Sequence, residues 1–442
     1  MHPRNPYVTA PDFAELAESY PALKNHLMRT AAGTSIDFHD IKAQRCLTQA
    51  LLHRDFGLIL SIPDDRLCPP VPNRMNYILW LQDIMNASQT KGQGLIVGAD
   101  IGTGASAIYP LLGCAISKDW RFVATDVDAH SLDYARNNVK ENDLGARIQV
   151  LEVSVNDPIF SPGIFALYSQ LDFTMCNPPF YGDREEVLKS AEAKEFGPNA
   201  VCTGADTEMI TPGGEVAFVS EMVQESLTLK SRCRWYSSML GKMSSLTSIV
   251  ETLRNSQIEN YAITEFVQGK TRRWALAWSF TDERLPDSLA RISNPALQSV
   301  MPPRNTLKQP LHSRMPTNEL LDVLKHVLSG IGGIEVEPLS SLDDARDKGH
   351  SQLSVHATGN TWSRAARRKK LAGTVAEPLG CVMPALSCRI GVIRLHDISE
   401  PQISLEFQWL RGEDRGLFES FMAHVSRKVE ATLESPEVKM VV

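Results

Sequence analysis

The sequence predicts an α/β protein built on a largely parallel sheet, with a helical segment before it and a small α+β domain after it. From about Gly94, short apolar runs alternate with amphipathic helical patterns, which is typical of a parallel sheet covered by helices on both faces. Before that point apolar residues recur at helical spacing, as in 41–53 and 77–85.

Seven strands are expected in the sheet. The parallel strands are predicted at 95–100, 121–126, 147–153, 171–176 and 214–219, with helices such as 131–141 between them. Two further runs, 261–268 and 273–280, flank a short polar turn and predict an antiparallel hairpin. Five parallel strands completed by a hairpin form the seven-stranded, Rossmann-like class I S-adenosylmethionine methyltransferase fold.

Four segments follow from these patterns. They are a helical extension at 1–92, the Rossmann-like domain at 93–281, a linker at 282–316 and an α+β domain at 317–442. The linker prediction rests on prolines scattered among few aromatic residues. The last segment is predicted to contain a helix at 318–328, strands near 352–357, 388–395 and 403–410, and a helix at 416–433.

Composition excludes several classes of protein. A hydrophobic fraction of 43% and a charged fraction of 22% are those of an ordinary soluble globular protein. No run of 18 apolar residues is present, so no membrane span is expected. The net charge of −7 argues against a surface that binds polyanions everywhere, but it allows a local basic groove. None of the cysteines forms a C-x-x-C pair, so neither a zinc site nor a disulfide framework is expected.

A glycine-rich turn follows the first predicted strand. Asp100, Gly102, Gly104 and Ser106 belong to the sequence G-A-D-I-G-T-G-A-S. Small residues let the backbone approach a ligand, and an acid at the strand tip can pair with a cationic group. No lysine follows the glycines in the phosphate-loop pattern, which disfavours a nucleotide hydrolase.

Three further residues are candidates for the same ligand. Asp126 ends the second strand, where an acid can accept both ribose hydroxyls of a nucleoside. Asp157 follows the third strand, beside the expected adenine pocket, although Asp157-Pro158 fits a plain turn equally well. Arg74 can clamp a carboxylate, although an exposed arginine is the simpler interpretation from sequence.

The segment after the fourth strand is the most informative part of the sequence. Asn177, Pro178, Pro179 and Phe180 form an N-P-P-F turn. The Asn177 side-chain oxygen and the Pro178 carbonyl can accept hydrogen bonds from an exocyclic amine, and the prolines fix both acceptors in advance. Phe180 offers a ring on which an extruded base can stack. The turn therefore predicts methylation of a planar amine, with alignment as the main contribution of the protein.

With these motifs in place, the chain resembles the methyltransferase-like family that modifies U6 small nuclear RNA, related to bacterial enzymes that methylate an adenine of large-subunit ribosomal RNA. The resemblance covers about residues 7–281. It is carried by P-D-F at 11–13, R-D-F-G-L at 54–58, D-I-G-T-G-A-S at 100–106, C-N-P-P-F at 176–180, M-L-G-K at 239–242 and R-W-A-L-A-W-S-F at 273–280.

The resemblance implies an RNA adenine-N6 methyltransferase that uses S-adenosylmethionine, acts on the ACAGA-type segment of U6 RNA and supports splicing. The expected location is the nucleus, with the cytoplasm as a further one, and no metal is expected. It implies cofactor contacts from Arg74, Gly102, Ser106, Asp126, Asp157 and Asn177. It implies RNA contacts from Pro11, Asp12, Phe13, Lys242, Lys270, Arg272 and Arg273. The last three carry positive charge suited to phosphates.

Two sequence features separate this chain from some relatives. Asp126 and Asn156 stand where some animal relatives have glutamate and a lysine, so gating by that lysine is not carried over. The loop 181–204 is acidic where relatives are richer in arginine.

The C-terminal domain resembles, more faintly, the accessory RNA-binding region of the family, which is similar to kinase-associated domains. A basic cluster is formed by Arg364, Arg367, Arg368, Lys369 and Lys370, with Trp362 nearby for stacking. The cluster suits RNA phosphates or a nuclear import signal, and a solvated loop is also compatible.

Two other functions fit parts of the sequence. An N-P-P loop also suits the side-chain amide of a protein glutamine, although phenylalanine after the prolines and the basic hairpin favour RNA. A non-catalytic RNA-binding scaffold is the other alternative, and the intact cofactor and catalytic motifs argue against it.

Overall fold

The computed structural model describes residues 1–31, 33–88, 94–193, 204–269, 271–313, 315–338, 352–363, 366, 368, 384–395 and 402–435. The chain divides into two compact units. The first comprises Met1–Thr281 and Leu289–Pro302, and the second comprises Asp282–Ser288 and Pro303–Val442. None of the described helices is long and apolar enough to cross a membrane.

The N-terminal extension is helical with one small hairpin. Its helices are α1 (Phe13–Ser19), α2 (Ile41–Phe56) and α3 (Val71–Ser88), and its strands are β1 (Leu27–Thr30) and β2 (Gly33–Ile36). The helices predicted at 41–53 and 77–85 are confirmed and extend further. The hairpin was not predicted, because its strands are short and mostly exposed and therefore lack an alternating apolar pattern. This extension lies in the same compact unit as the large sheet.

The large sheet has seven strands in the order β5-β4-β3-β6-β7-β9-β8. The strands are β3 (Ile96–Ile101), β4 (Trp120–Asp126), β5 (Ile148–Glu152), β6 (Leu171–Cys176), β7 (Cys233–Leu240), β8 (Tyr261–Gln268) and β9 (Thr271–Trp278). The first five in chain order run parallel, and β9 pairs antiparallel with both β7 and β8. All six residues of β3 are buried, as expected for a central parallel strand. The predicted fold class is confirmed.

Helices connect these strands and cover the sheet. They are α4 (Ile108–Ile116), α5 (Ala129–Glu141), α6 (Pro162–Leu167), α7 (Arg184–Ala193), α8 (Asp206–Met209), α9 (Gly214–Leu229) and α10 (Met243–Asn255). Because β3, β4, β6 and β7 are parallel, the residues that follow them meet at one edge of the sheet. That edge is where an open α/β sheet binds its ligand.

One predicted strand is wrong. Residues 214–219 form the start of α9, and the fifth parallel strand is β7. The short run 216–219 is apolar enough for a buried strand. Its continuation places Val219, Met222, Val223 and Ser226 on one buried face, which is the helical period.

The C-terminal unit contains a five-stranded antiparallel sheet in the order β10-β14-β13-β12-β11. From the end of β9 onward the elements are α11 (Asp287–Ala290), β10 (Thr306–Leu311), α12 (Thr317–Ser329), β11 (Ile334–Pro338), β12 (Gln352–Ala357), β13 (Leu386–Leu395), β14 (Gln402–Arg411) and α13 (Arg415–Leu433). The two long helices pack on the sheet around Leu324, Phe407 and Phe421. The predicted helices and the strands corresponding to β12, β13 and β14 are confirmed.

The linker predicted at 282–316 needs correction. It contains α11 and the edge strand β10, which pairs with β14 throughout its length. Pro310 lies within β10, and an edge strand is the place in a sheet that tolerates proline. Proline content therefore indicated a sheet edge here rather than an unstructured connection.

Candidate active site

The glycine-rich turn after β3 forms the floor of the site. Gly102 and Gly104 have φ angles of +70° and +63°, in the left-handed region that favours glycine. A Cβ built on Gly102 would meet no atom within 4 Å, so open space lies above this residue. Ser106 is buried at the end of the turn. The turn is an open cradle into which a ligand can approach the backbone closely.

Asp100 is fully buried at the tip of β3. Its Oδ2 accepts a hydrogen bond from Thr103 Oγ1 at 2.7 Å, whereas its Oδ1 is buried without a hydrogen-bond partner among the described residues. Burial raises the pKa of the Asp100 carboxyl to about 7, and the nearby Asp126 carboxylate acts in the same direction. A buried acceptor without a donor is costly, and a cationic ligand group would satisfy it.

The Asp100 carboxyl makes stability depend on pH. Its folded pKa of about 7 lies above 3.8, the ordinary pKa of an aspartate carboxyl. The folded state therefore keeps a proton that the unfolded chain releases, and stability falls as pH rises through this window. We compare the unfolding free energy of ligand-free Asp100→Asn with that of wild type at the same pH. Relative to wild type, the variant should be about 2 kcal/mol more stable at pH 8 than at pH 5.5.

Urea denaturation at both pH values measures this difference. Asp133→Asn, which removes a carboxylate from the exposed face of α5, is the matched control. Its unfolding free energy should change between the two pH values as that of wild type does. If Asp100→Asn changed the unfolding free energy equally at both pH values, the raised pKa of Asp100 would be contradicted.

Asp126 braces the same turn from the end of β4. Its Oδ2 accepts the Gly104 N–H at 2.8 Å, and its Oδ1 accepts the N–H groups of Val127 and Asp128 at 2.8 and 3.0 Å. Burial raises the pKa of the Asp126 carboxyl, and these three backbone donors oppose that rise. Three of the roughly four acceptor positions of a carboxylate are thus occupied by the protein itself.

Arg74 joins the glycine-rich side of the site to the N-P-P-F turn. It is buried on α3, and its Nη1 donates to Asn177 Oδ1 at 3.2 Å and to the Tyr109 hydroxyl at 3.1 Å. Because guanidinium only donates, the contact requires that the oxygen of the Asn177 amide face Arg74. The interpretation of Arg74 as an exposed arginine is wrong. The sequence placed Arg74 and Asn177 as separate candidates, and the structure brings them together.

The N-P-P-F turn begins directly after β6. Pro178 is buried, and Phe180 is half-buried with its ring against Gly241. A Cβ on Gly241 would lie 2.9 Å from Phe180 Cδ1, so this close approach requires glycine. The Arg273 guanidinium carbon lies 5.5 Å from the centre of the Phe180 ring. A cation therefore lies over the ring of Phe180, in the turn that begins with Asn177.

Glu215 is a site residue that sequence reasoning missed. It is buried near the start of α9, and its two carboxylate oxygens accept the N–H groups of Gly241 at 2.7 Å and Lys242 at 3.0 Å. It thereby fixes the turn after β7 against Phe180. The erroneous strand at 214–219 concealed it, because a glutamate directly after two glycines carries no functional signal of its own in the sequence.

The predicted RNA-contacting residues of the first unit lie in several places. Asp12 caps α1 by accepting the N–H groups of Ala14 and Glu15, with Pro11 and Phe13 beside it. Lys242 pairs with Glu186, and Arg272 pairs with Glu265 at 2.9 Å. Lys270 lies outside the described residues. The basic side chains beside the site are therefore partly neutralised by acids that a phosphate would have to displace.

The remaining predicted residues are Asp157 and the basic cluster at 367–370. Asp157 is exposed, and its Oδ2 accepts the N–H of Ser154 within a turn, so its contact with a ligand stays a prediction. Arg368 is exposed, and Arg367, Lys369 and Lys370 lie outside the described residues.

Trp362 requires a correction. It is buried against Phe421, with ring centres 4.8 Å apart, so it belongs to the core and does not offer a stacking surface. Among the described residues, no group of three or more side chains is arranged to hold a metal ion.

Comparison with known proteins agrees with this geometry. A family model described as RNA methyltransferase matches residues 1–282. The RNA N(6)-adenosine-methyltransferase mettl16 of Xenopus laevis is 40% identical over 386 residues, which are 84% of this chain and 69% of that protein. The U6 small nuclear RNA (adenine-(43)-N(6))-methyltransferase of Schizosaccharomyces pombe is 34% identical over 403 residues, 90% of this chain and 96% of the relative. The chain spans about half the length of the human relative METTL16.

Solved structures give the same result. The human METTL16 catalytic domain in complex with MAT2A 3'UTR hairpin 1 is 44% identical, with a TM-score of 0.58, and the match covers 64% of this chain and 96% of that one. The N-terminal domain of human METTL16 in complex with SAH is 42% identical, with a TM-score of 0.53, covering 64% of this chain and 99% of that one.

Proposed function

The chain belongs to the RNA methyltransferase family, and on that premise we propose that it transfers a methyl group from S-adenosylmethionine to the N6 amine of an adenosine in structured RNA. The proposed target is the ACAGA-type segment of U6 small nuclear RNA, in the nucleus. The name of the Schizosaccharomyces pombe relative, which shares almost its whole length with this chain, supports that choice. The observation that carries the proposal is the Arg74–Asn177 hydrogen bond, which couples the cofactor side of the site to the catalytic turn.

The site suits the cofactor. The open space above Gly102 and Asp100 Oδ1, which has no donor among the described residues, fit a nucleoside that carries a cationic amino-acid group. The residues proposed to hold it are Arg74, Asp100, Gly102, Gly104, Ser106, Asp126, Asp157 and Asn177. When bound, S-adenosylmethionine supplies an electrophilic methyl group.

The proposed role of the protein at the substrate amine is alignment. Asn177 Oδ1 already accepts one bond from Arg74 and has a second lone pair for the adenine amine. The Pro178 carbonyl supplies a second acceptor, and both prolines restrict the turn before RNA arrives. Two acceptors draw the amine towards the tetrahedral geometry that its nitrogen needs to attack. The product cation can release its proton to solvent.

The proposed path of the RNA runs from the β8–β9 hairpin to Phe180. Arg273 lies over the Phe180 ring. A phosphate bound to Arg273 would therefore place its flipped base near that ring. Lys242 and Arg272 are proposed as further phosphate contacts, which would replace their ion pairs with Glu186 and Glu265. The C-terminal residues Arg367, Arg368, Lys369 and Lys370 are proposed as a second RNA contact.

Glu215 should matter for this function although it touches neither ligand. Its removal leaves the Gly241 and Lys242 N–H groups without their acceptor and loosens the support of Phe180. We expect Glu215→Ala to destabilise the protein by about 2–4 kcal/mol and to raise KM for RNA about 10-fold or more. Thermal unfolding and steady-state kinetics measure the two effects. Glu221→Ala, on the exposed side of α9, is the matched control, and equal kinetics for the two variants would contradict this role.

The test of the function is methyl transfer to defined RNA. Full-length protein is incubated with labelled S-adenosylmethionine and a U6 fragment, and nucleosides are analysed after digestion. We expect label in N6-methyladenosine, and none when the target adenosine is replaced by guanosine. Label in glutamine of a protein substrate would support the alternative activity, and RNA binding without transfer to any structured RNA would support a scaffold.

A further inference from the structure

A carboxylate outside the predicted set faces the cofactor cradle. Glu208 lies in α8. A Cβ built on Gly104 would lie 3.5 Å from Glu208 Oε1. Glu208 Oε2 accepts the N–H groups of Leu67 and Ala205, both at 2.9 Å. Glu208 is thus fixed through one oxygen, while the other points at the glycine-rich turn.

The free oxygen is available for a ligand. No described residue donates a hydrogen bond to Glu208 Oε1, and burial raises the pKa of this carboxyl. Asp100 Oδ1, at the tip of β3, is buried and likewise has no donor among the described residues. Two acceptors without donors around one cradle indicate a ligand that brings several donors of its own.

The ribose hydroxyls of the cofactor are the donors that Glu208 could accept. Asp126 is expected to bind the ribose, yet three backbone N–H groups already occupy its oxygens. Roughly one acceptor position remains on Asp126 for a ribose that has two hydroxyl groups. Glu208 lies near Asp126, because Gly104 donates to Asp126 Oδ2 and a Cβ built on Gly104 would lie 3.5 Å from Glu208 Oε1. The charge of Asp126 is also among the causes that raise the pKa of Glu208.

We propose that Glu208 Oε1 accepts a hydrogen bond from one ribose hydroxyl of the cofactor, sharing the diol with Asp126. The inference rests on the proposed function, since it takes S-adenosylmethionine as the ligand. It makes α8 part of the cofactor site. The backbone of Met209 and Thr211 is bonded to Tyr181, which directly follows Phe180, so this contact links the ribose to the catalytic turn.

Glu208→Gln separates a ligand contact from a structural one. The variant keeps an amide oxygen for Leu67 and Ala205 but replaces Oε1 by a donor. Binding of S-adenosylhomocysteine and of its 2′-deoxy and 3′-deoxy analogues is measured by calorimetry with full-length protein. We expect Glu208→Gln to weaken binding of S-adenosylhomocysteine about 10- to 100-fold, and we expect most of this loss to vanish for one deoxy analogue.

The possible outcomes are distinct. An equal loss for all three ligands would mean that Glu208 only supports the fold, and no loss would mean that it does not meet the ribose; either result overturns the inference while the proposed cofactor stands. Wild-type protein that fails to bind S-adenosylhomocysteine would overturn the cofactor proposal itself. Asp206→Asn, which removes an exposed carboxylate from the same helix, should bind all three ligands as wild type does. If Glu208→Gln does not fold, Glu208→Asp, which withdraws the oxygen by one methylene, replaces it.

Discussion

Asn177→Ala is expected to abolish methyl transfer, lowering kcat by about 1000-fold or more. The side-chain oxygen of Asn177 is held by Arg74 at 3.2 Å, so it is positioned before the substrate binds. Alanine removes the acceptor for the adenine amine and leaves the guanidinium without one of its partners. The prolines after Asn177 continue to shape the turn, so the loss should appear in kcat more than in RNA affinity.

Single-turnover methylation with saturating RNA measures this effect, and RNA binding by filter retention is followed in parallel. Asn137→Ala, on the exposed face of α5, is the control for loss of an asparagine elsewhere. Retention of more than about a tenth of wild-type kcat would contradict the role of the amide, since acceptor groups of this kind typically contribute far more.

The sequence predicted the fold well where the spacing of apolar residues and the length of the run both indicated the same type of element. The four strands from 95 to 176 and the hairpin 261–268 with 273–280 were found within about two residues of their observed bounds. The misassigned strand at 214–219 shows the limit, because a four-residue apolar run fits both a buried strand and one turn of a buried helix. The edge strand β10 escaped because half-exposed residues and a proline conceal its pattern.

The sequence predicted those site residues that belong to short motifs at the ends of strands. Gly102, Asp126 and Asn177 lie at the carboxyl ends of three parallel strands, so topology alone brings them to one edge of the sheet. Glu215 and Glu208 were not predicted, because they act from helices that reach the site through tertiary packing. Sequence spacing gives no information on such distances.

Arg74→Lys is expected to weaken binding of S-adenosylhomocysteine about 100-fold and to lower kcat as well. Lysine keeps the charge, but it cannot offer the planar, forked donors that can hold a carboxylate while also bonding Asn177 and Tyr109. Calorimetry and single-turnover kinetics separate the two effects. Arg136→Lys, on the exposed face of α5, is the control, and an unchanged affinity in Arg74→Lys would show that Arg74 only stabilises the fold.

The double variant Arg74→Lys/Asn177→Ala tests whether Arg74 affects methyl transfer directly or through Asn177. If Arg74 affects the methyl-transfer step by orienting the Asn177 amide, its substitution should lower kcat little further once Asn177 is alanine. The loss in affinity for S-adenosylhomocysteine, in contrast, should persist in the Asn177→Ala background, because it arises from the proposed contact between Arg74 and the cofactor. Additive losses in kcat would mean that the 3.2 Å bond between these side chains does not couple the two halves of the site.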